Sequence, residues 1–71
     1  MEIEISFDTS RKPEEQYEAN IKELPGSPHV GRASTPETAV AQVFLFNIKD
    51  PNYGFNLAKL DWEIEIIRKG Y

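Results

Sequence analysis

The first eight residues alternate without a break. Met1, Ile3, Ile5 and Phe7 fall on one side, and Glu2, Glu4, Ser6 and Asp8 on the other. A period of two predicts a half-buried strand. Asp8 to Pro13 is polar and ends in proline, which reads as a hairpin loop. A second alternation follows, with Tyr17, Ala19 and Ile21 on one side and Glu18, Asn20 and Lys22 on the other. It predicts a strand from about Glu15 to Leu24, antiparallel to the first. Pro25-Gly26 ends it, because proline has no N–H for the ladder and glycine permits positive φ. His29 to Ala33 reads as a short third strand containing Gly31.

The period then changes. Thr35 suits an N-cap, Pro36 the first helical position, and Glu37 the positive end of the helix dipole. Ala39, Val40, Val43, Phe44 and Phe46 give an approximately helical apolar face. The helix should stop near Lys49, because Pro51 disfavours a helical Asp50. Asp50 to Asn56 reads as a loop. Leu60 to Arg68 reads as a final strand, with Leu60, Trp62, Ile64 and Ile66 on one face and Asp61, Glu63, Glu65 and Ile67 on the other.

The element order β-β-β-α-β predicts an α+β fold. A right-handed crossover through the helix would lay the last strand parallel to the first. The expected architecture is a four-stranded mixed sheet of order 3-2-1-4 with one helix packed on one face. That helix should cover Ile3, Ile5, Phe7, Tyr17, Ala19, Ile21, Trp62, Ile64 and Ile66. On this pattern residues 1–71 form a single domain.

Composition narrows the function classes. Hydrophobic residues make up 39% and charged residues 28%, which suits a folded domain rather than a disordered tail. The chain has no cysteine, so neither disulfides nor thiolate metal sites are available. The longest apolar run, Val43 to Phe46, is far short of a membrane span. The acidic, alternating N-terminal stretch does not resemble a targeting peptide, and a cytoplasmic location is the expectation. A net charge of −4 argues against direct nucleic-acid binding, which rests on Lys and Arg contacts to phosphate.

The alternation puts Glu2, Glu4, Glu18, Glu63 and Glu65 on the sheet face away from the helix, with Lys22 among them. Two readings of that face compete: a solvated surface that keeps sheets apart, or a surface kept for a basic partner. Carboxylates such as Glu4, Asp8 and Glu65 could be imagined holding divalent metal for a nuclease, but strand spacing and chain size argue against it. No cofactor or metal is expected. His29 reads as ordinary surface, and neither a nucleophile setting nor a phosphate-binding glycine motif occurs. Trp62 reads as core. Phe44, Leu45 and Phe46 cover about 200° of helix arc, more than one sheet face can bury. Leu45, together with Ile67 among the outer-face acids, is therefore a candidate for self-association as a homodimer, as is the edge of the third strand. Cover by Tyr53, Phe55 or Tyr71 of the same chain is the other possibility.

Tyr17-Glu18-Ala19, then Glu23-Leu24-Pro25-Gly26, then Thr35-x-Glu37-x-Ala39-Val40 resembles the HicB-like antitoxin family. The motif match runs from about Tyr17 to Val40, and the element order extends the likeness along the chain. Thr38 stands where the family has a second Glu, and the gap from Pro25-Gly26 to the helix is longer than the commonest family spacing. The resemblance implies a partial, degenerate ribonuclease-H-like fold without catalytic function. It further implies a role in binding and masking a HicA-like toxin, a small basic mRNA-cleaving protein. Glu2, Glu4, Glu14, Glu15, Glu18, Glu63 and Glu65 would then be the contact charges. No helix-turn-helix or ribbon-helix-helix extension is expected here. The alternative is a solitary homo-oligomeric HicB-like protein with no toxin partner.

Overall fold

A computed structural model describes residues 1–24, 29–51, 59 and 62–70. The elements are β1 (Glu2–Phe7), β2 (Tyr17–Ile21), β3 (Gly31–Ala33), α1 (Pro36–Lys49) and β4 (Glu65–Lys69). They form a four-stranded mixed sheet of order β3-β2-β1-β4 with α1 on one face, the α+β architecture expected from the pattern. β1 and β2 are antiparallel, with Ile3 opposite Ile21 and Phe7 opposite Tyr17. β2 and β3 are antiparallel, and β1 and β4 are parallel, with Ile3 opposite Ile66.

The strand ends differ from expectation for local reasons. Pro13–Glu15 forms a 3-10 turn in which the Glu15 N–H donates to the Lys12 carbonyl at 2.9 Å, so β2 starts at Tyr17. β2 stops at Ile21 because the Leu24 N–H turns back to the Ile21 carbonyl at 3.2 Å. The carbonyl of His29 accepts from the Asn47 amide at 3.3 Å, and β3 begins two residues later. β4 begins at Glu65 rather than Leu60. Its N–H donates to the Met1 carbonyl at 2.9 Å, and Trp62 to Ile64 precede the β1–β4 ladder, which starts with Glu2 opposite Glu65. Leu60, Asp61 and the stretch of the expected loop from Asn52 to Asn56 lie outside the described residues.

The helix follows its signals. The Thr38 N–H donates to Thr35 Oγ1 at 3.3 Å, Pro36 is the first helical residue, and Asp50 is extended ahead of Pro51. Its buried positions are Ala39, Val43 and Asn47, one per turn. Asn47 was not foreseen as core. It belongs there because its amide donates to the Val43 carbonyl at 2.7 Å as well as to His29, so a polar group is buried with its bonds made.

The core holds Met1, Ile3, Ile5, Ala19, Ile21, Leu24, Ala33, Ala39 and Val43, with Tyr17, Val40 and Phe44 packed against it. Phe7 packs against Tyr17 in a tilted pair with centroids 4.8 Å apart. One expectation about this core is overturned. Trp62, Ile64 and Ile66 are 52%, 49% and 42% exposed, so the helix does not cover them. The reason is side-chain volume. Ala19, Gly31 and Ala33 make a shallow floor on the β2–β3 side, and α1 settles into it. A Cβ on Gly31 would lie 1.8 Å from the Ala39 carbonyl oxygen and 2.7 Å from the Val43 nitrogen. That close approach holds the helix over β2 and β3 and leaves the helix-side face of β4 open. Trp62 keeps one partner in α1, stacking on Phe44 at 5.7 Å.

Candidate functional site

Two surfaces stand out once the fold is laid out. The first is the outer sheet face. Alternation aims Glu2, Glu4, Glu18, Glu65, Ile67 and Lys69 away from the helix, and Arg32 joins them from β3. The acids there are interleaved with bases. Lys22 Nζ sits 3.3 Å from Glu2 and 3.9 Å from Glu4, and Lys69 Nζ 3.1 Å from Glu4. Glu18 lies between Arg11 at 3.5 Å and Arg32 at 3.0 Å. The pairs made by the exposed Lys22, Lys69 and Arg32 contribute about 0–1 kcal/mol each, so they set the pattern of charge more than stability, whereas Arg11–Glu18 is part-buried. Lys22 has its ammonium held above the ordinary value of 10.5, first by its bond to Glu2 and then by the charges of Glu2 and Glu4.

The second surface is a cleft of about 720 Å³ at the end of the sheet where β1 and β4 begin. Glu2, Glu23, Glu63 and Glu65 line it, facing Lys22 and the Met1 end of the chain. The Met1 amine donates to the Glu63 carbonyl at 2.7 Å and lies 3.4 Å from Glu23. Both Glu23 oxygens accept from the Glu2 N–H, at 2.9 and 3.0 Å. That bond, before any other influence, holds the Glu23 carboxyl below its ordinary 4.5. Among the described residues, four carboxylates face two cations in this cleft.

The structure thus brings three of the sequence-derived site residues, Glu2, Glu63 and Glu65, into one concavity and adds Glu23, which the alternation did not single out. The signal for Glu23 was weak, because it sits past the end of β2 in a turn. Glu4 and Glu18 lie further along the face within the ion pairs. Glu14 and Glu15 are exposed in the 3-10 turn, toward the opposite end of the β1–β2 hairpin. Leu45 is 48% exposed on α1, and Ile67 is half-buried on the outer face.

Glu4, Asp8 and Glu65 are not brought together. Glu65 is level with Glu2, six residues or about 20 Å along the strand direction from Asp8. Among the described residues no group of three His, Cys, Asp or Glu could hold a metal ion. Asp8 instead caps a turn, accepting from Ser10 Oγ at 2.6 Å and the Ser10 N–H at 2.9 Å, and both bonds lower its pKa from 3.8. His29 is not plain surface, since its Nε2 lies 2.8 Å from Asp50 Oδ2 and ties the entry of β3 to the end of α1. Among the described residues no helix is long and apolar enough to cross a membrane.

Compared with known proteins, the chain matches no protein-family profile, no curated protein and no solved structure.

Proposed function

We propose that this chain is a non-enzymatic, HicB-like binding module that masks a small basic mRNA-cleaving toxin in the cytoplasm. The observation that carries the reading is the β3-β2-β1-β4 sheet with a single helix on one face, the arrangement that the motif resemblance implies. Two of the three resembling segments fall on described elements, and Pro25-Gly26 lies outside the described residues. Tyr17-Glu18-Ala19 opens β2, and Thr35 caps α1 three residues before Thr38. The acidic cleft formed by Glu2, Glu23, Glu63 and Glu65 supplies a surface for a basic partner, while Glu4 and Glu18 would offer contacts among their paired bases and Glu14 and Glu15 a separate acidic spot toward the opposite end of the hairpin. A field of this kind accelerates encounter and is screened by salt.

The test is to tag the chain in its native host and identify what co-purifies by mass spectrometry. The expected result is a stoichiometric basic polypeptide, released by salt of roughly 0.5 M, whose RNA cleavage the chain suppresses. Charge reversal at Glu2, Glu63 and Glu65 together should weaken that complex at low salt. Recovery of the chain with no basic partner, or a complex indifferent to both salt and charge reversal, overturns the reading. The solitary homo-oligomer draws support from a different observation, the exposed strip of Trp62, Ile64 and Ile66, and a chain recovered only with copies of itself would favour it.

A further inference from the structure

The two edges of the sheet are not equivalent. β3 is three residues long, and its edge is already occupied. The Arg32 N–H, which points away from β2, donates to the Gln42 side chain of α1 at 3.1 Å. A short, capped strand does not invite another strand. β4 is five residues long, and among the described residues nothing pairs with its outer side. The Glu65 N–H donates to Met1, so Glu65, Ile67 and Lys69 turn their backbone groups toward β1. Ile66 and Arg68 therefore present theirs to the open edge.

We propose that this edge binds a second copy of the chain, the two β4 strands pairing antiparallel about a two-fold axis through Ile67. Self-complementary contact of this type closes a dimer. The register follows from the sequence of the strand, Glu-Ile-Ile-Arg-Lys. Complete overlap of two such strands is reached only when Ile67 lies opposite Ile67 of the second copy. Ile66 then faces Arg68, and these residues, whose amides point outward, exchange backbone hydrogen bonds. Glu65 faces Lys69 twice, once on each side of the axis.

Charge favours this register. Glu65 has no cation of its own among the described residues and lies opposite Glu2, a like charge. Lys69 of the second copy would answer it while keeping its contact with Glu4. Shifting each strand by one residue toward its start leaves Glu65 opposite Ile67, and a further shift sets Glu65 against Glu65. A shift the other way sets Arg68 against Arg68. The apolar side chains agree with the charges. On the outer face the half-buried Ile67 meets its own copy among acids and bases. On the helix side the exposed Ile66 gains the aliphatic stem of Arg68. The result is one continuous sheet with four strands from each copy, in which Leu45 plays no part.

The experiment uses the chain alone, so it does not depend on whether a toxin exists. Its mass is followed by sedimentation equilibrium over a wide concentration range, and backbone amide exchange is read by NMR at Ile66 and Arg68. The expected result is a dimer in which those two amides are protected, with protection lost on dilution. Glu65→Lys or Lys69→Glu alone replaces two attractive pairs by two repulsive ones and should weaken the dimer about tenfold. The double variant restores opposite charges and should recover the affinity, a result that general destabilisation of the fold would not give. Circular dichroism of each variant checks that the monomer is intact, and Glu65→Lys serves if Lys69→Glu disturbs Glu4. A chain that stays monomeric at every concentration overturns the proposal. So does a dimer in which the Ile66 and Arg68 amides exchange freely, or one that the double variant fails to rescue.

Discussion

A methyl group at Gly31 would meet the backbone of α1 at 1.8 Å, so Gly31→Ala has to lift the helix from β3. Overpacking against backbone leaves little room for side-chain relief, and a loss of about 3 kcal/mol is expected, read as a shift of the urea midpoint. Glu23 affects stability through pH instead. Its carboxyl is held below 4.5 by the Glu2 N–H, so the folded state favours the ionised form. That contribution is full above the unfolded-chain value and disappears as pH falls from 4.5 through the lower folded value. Asp8 acts in the same direction below 3.8. Lys22 acts in the opposite one, contributing below 10.5 and losing its effect as pH rises through its raised value. Glu23→Gln should therefore flatten the acid limb of the melting temperature as pH falls below 4.5. An unchanged limb would show that the bond to Glu2 does not hold in solution. Glu23 was invisible to alternation because its role comes from a turn that brings it back to the start of β1, whereas Glu2 and Glu65 were placed by strand period alone.

At the scale of elements, the seat of α1 decides which apolar residues are core. Period-two patterning correctly assigned Ile3, Ile5, Ala19 and Ile21 to the helix side, and Ile66 joins them there by register. It could not say how far across the sheet a single helix reaches. That reach depends on the volumes of Ala19, Gly31 and Ala33, which form a floor only after β2 and β3 are paired. The consequence is a steep contrast between two isoleucines opposite each other in the β1–β4 ladder. Ile3→Ala should cost about 2–5 kcal/mol, because Ile3 is fully buried. Ile66→Ala should cost the monomer about 1 kcal/mol or less, given its exposure. Parallel chemical denaturation of the two variants at low concentration measures the difference. Thr35→Ala should remove about 1 kcal/mol by leaving the Thr38 N–H uncapped, whereas the helix end at Asp50 rests on Pro51. The N-cap and that stop were legible because they are local signals. Asn47 was not, since its place in the core depends on the His29 carbonyl, 18 residues away.

Across the whole molecule, charge is arranged in two patterns. The centre of the outer face alternates acid and base, and the end of the sheet gathers acids around a cleft. Raising salt from about 0.05 to 0.5 M should change the stability of the isolated chain by less than about 1 kcal/mol, because the bases Lys22, Arg32 and Lys69 in most outer-face pairs are solvent-exposed. Thermal melts at the two salt concentrations measure this. Binding of a basic protein at the cleft should weaken strongly over the same range. β1 occupies the centre of the sheet, with β2 beside it from the adjoining hairpin and β4 beside it from more than 60 residues away in sequence. During synthesis, then, the hairpin and the helix can assemble while one side of β1 still lacks its neighbour. Until Glu65–Lys69 has left the ribosome, a row of apolar and unbonded backbone groups along β1 stays available to other nascent chains. Emergence of β4 thus closes the hydrophobic sheet, and a pause in translation before it would prolong the interval in which β1 is open to aggregation.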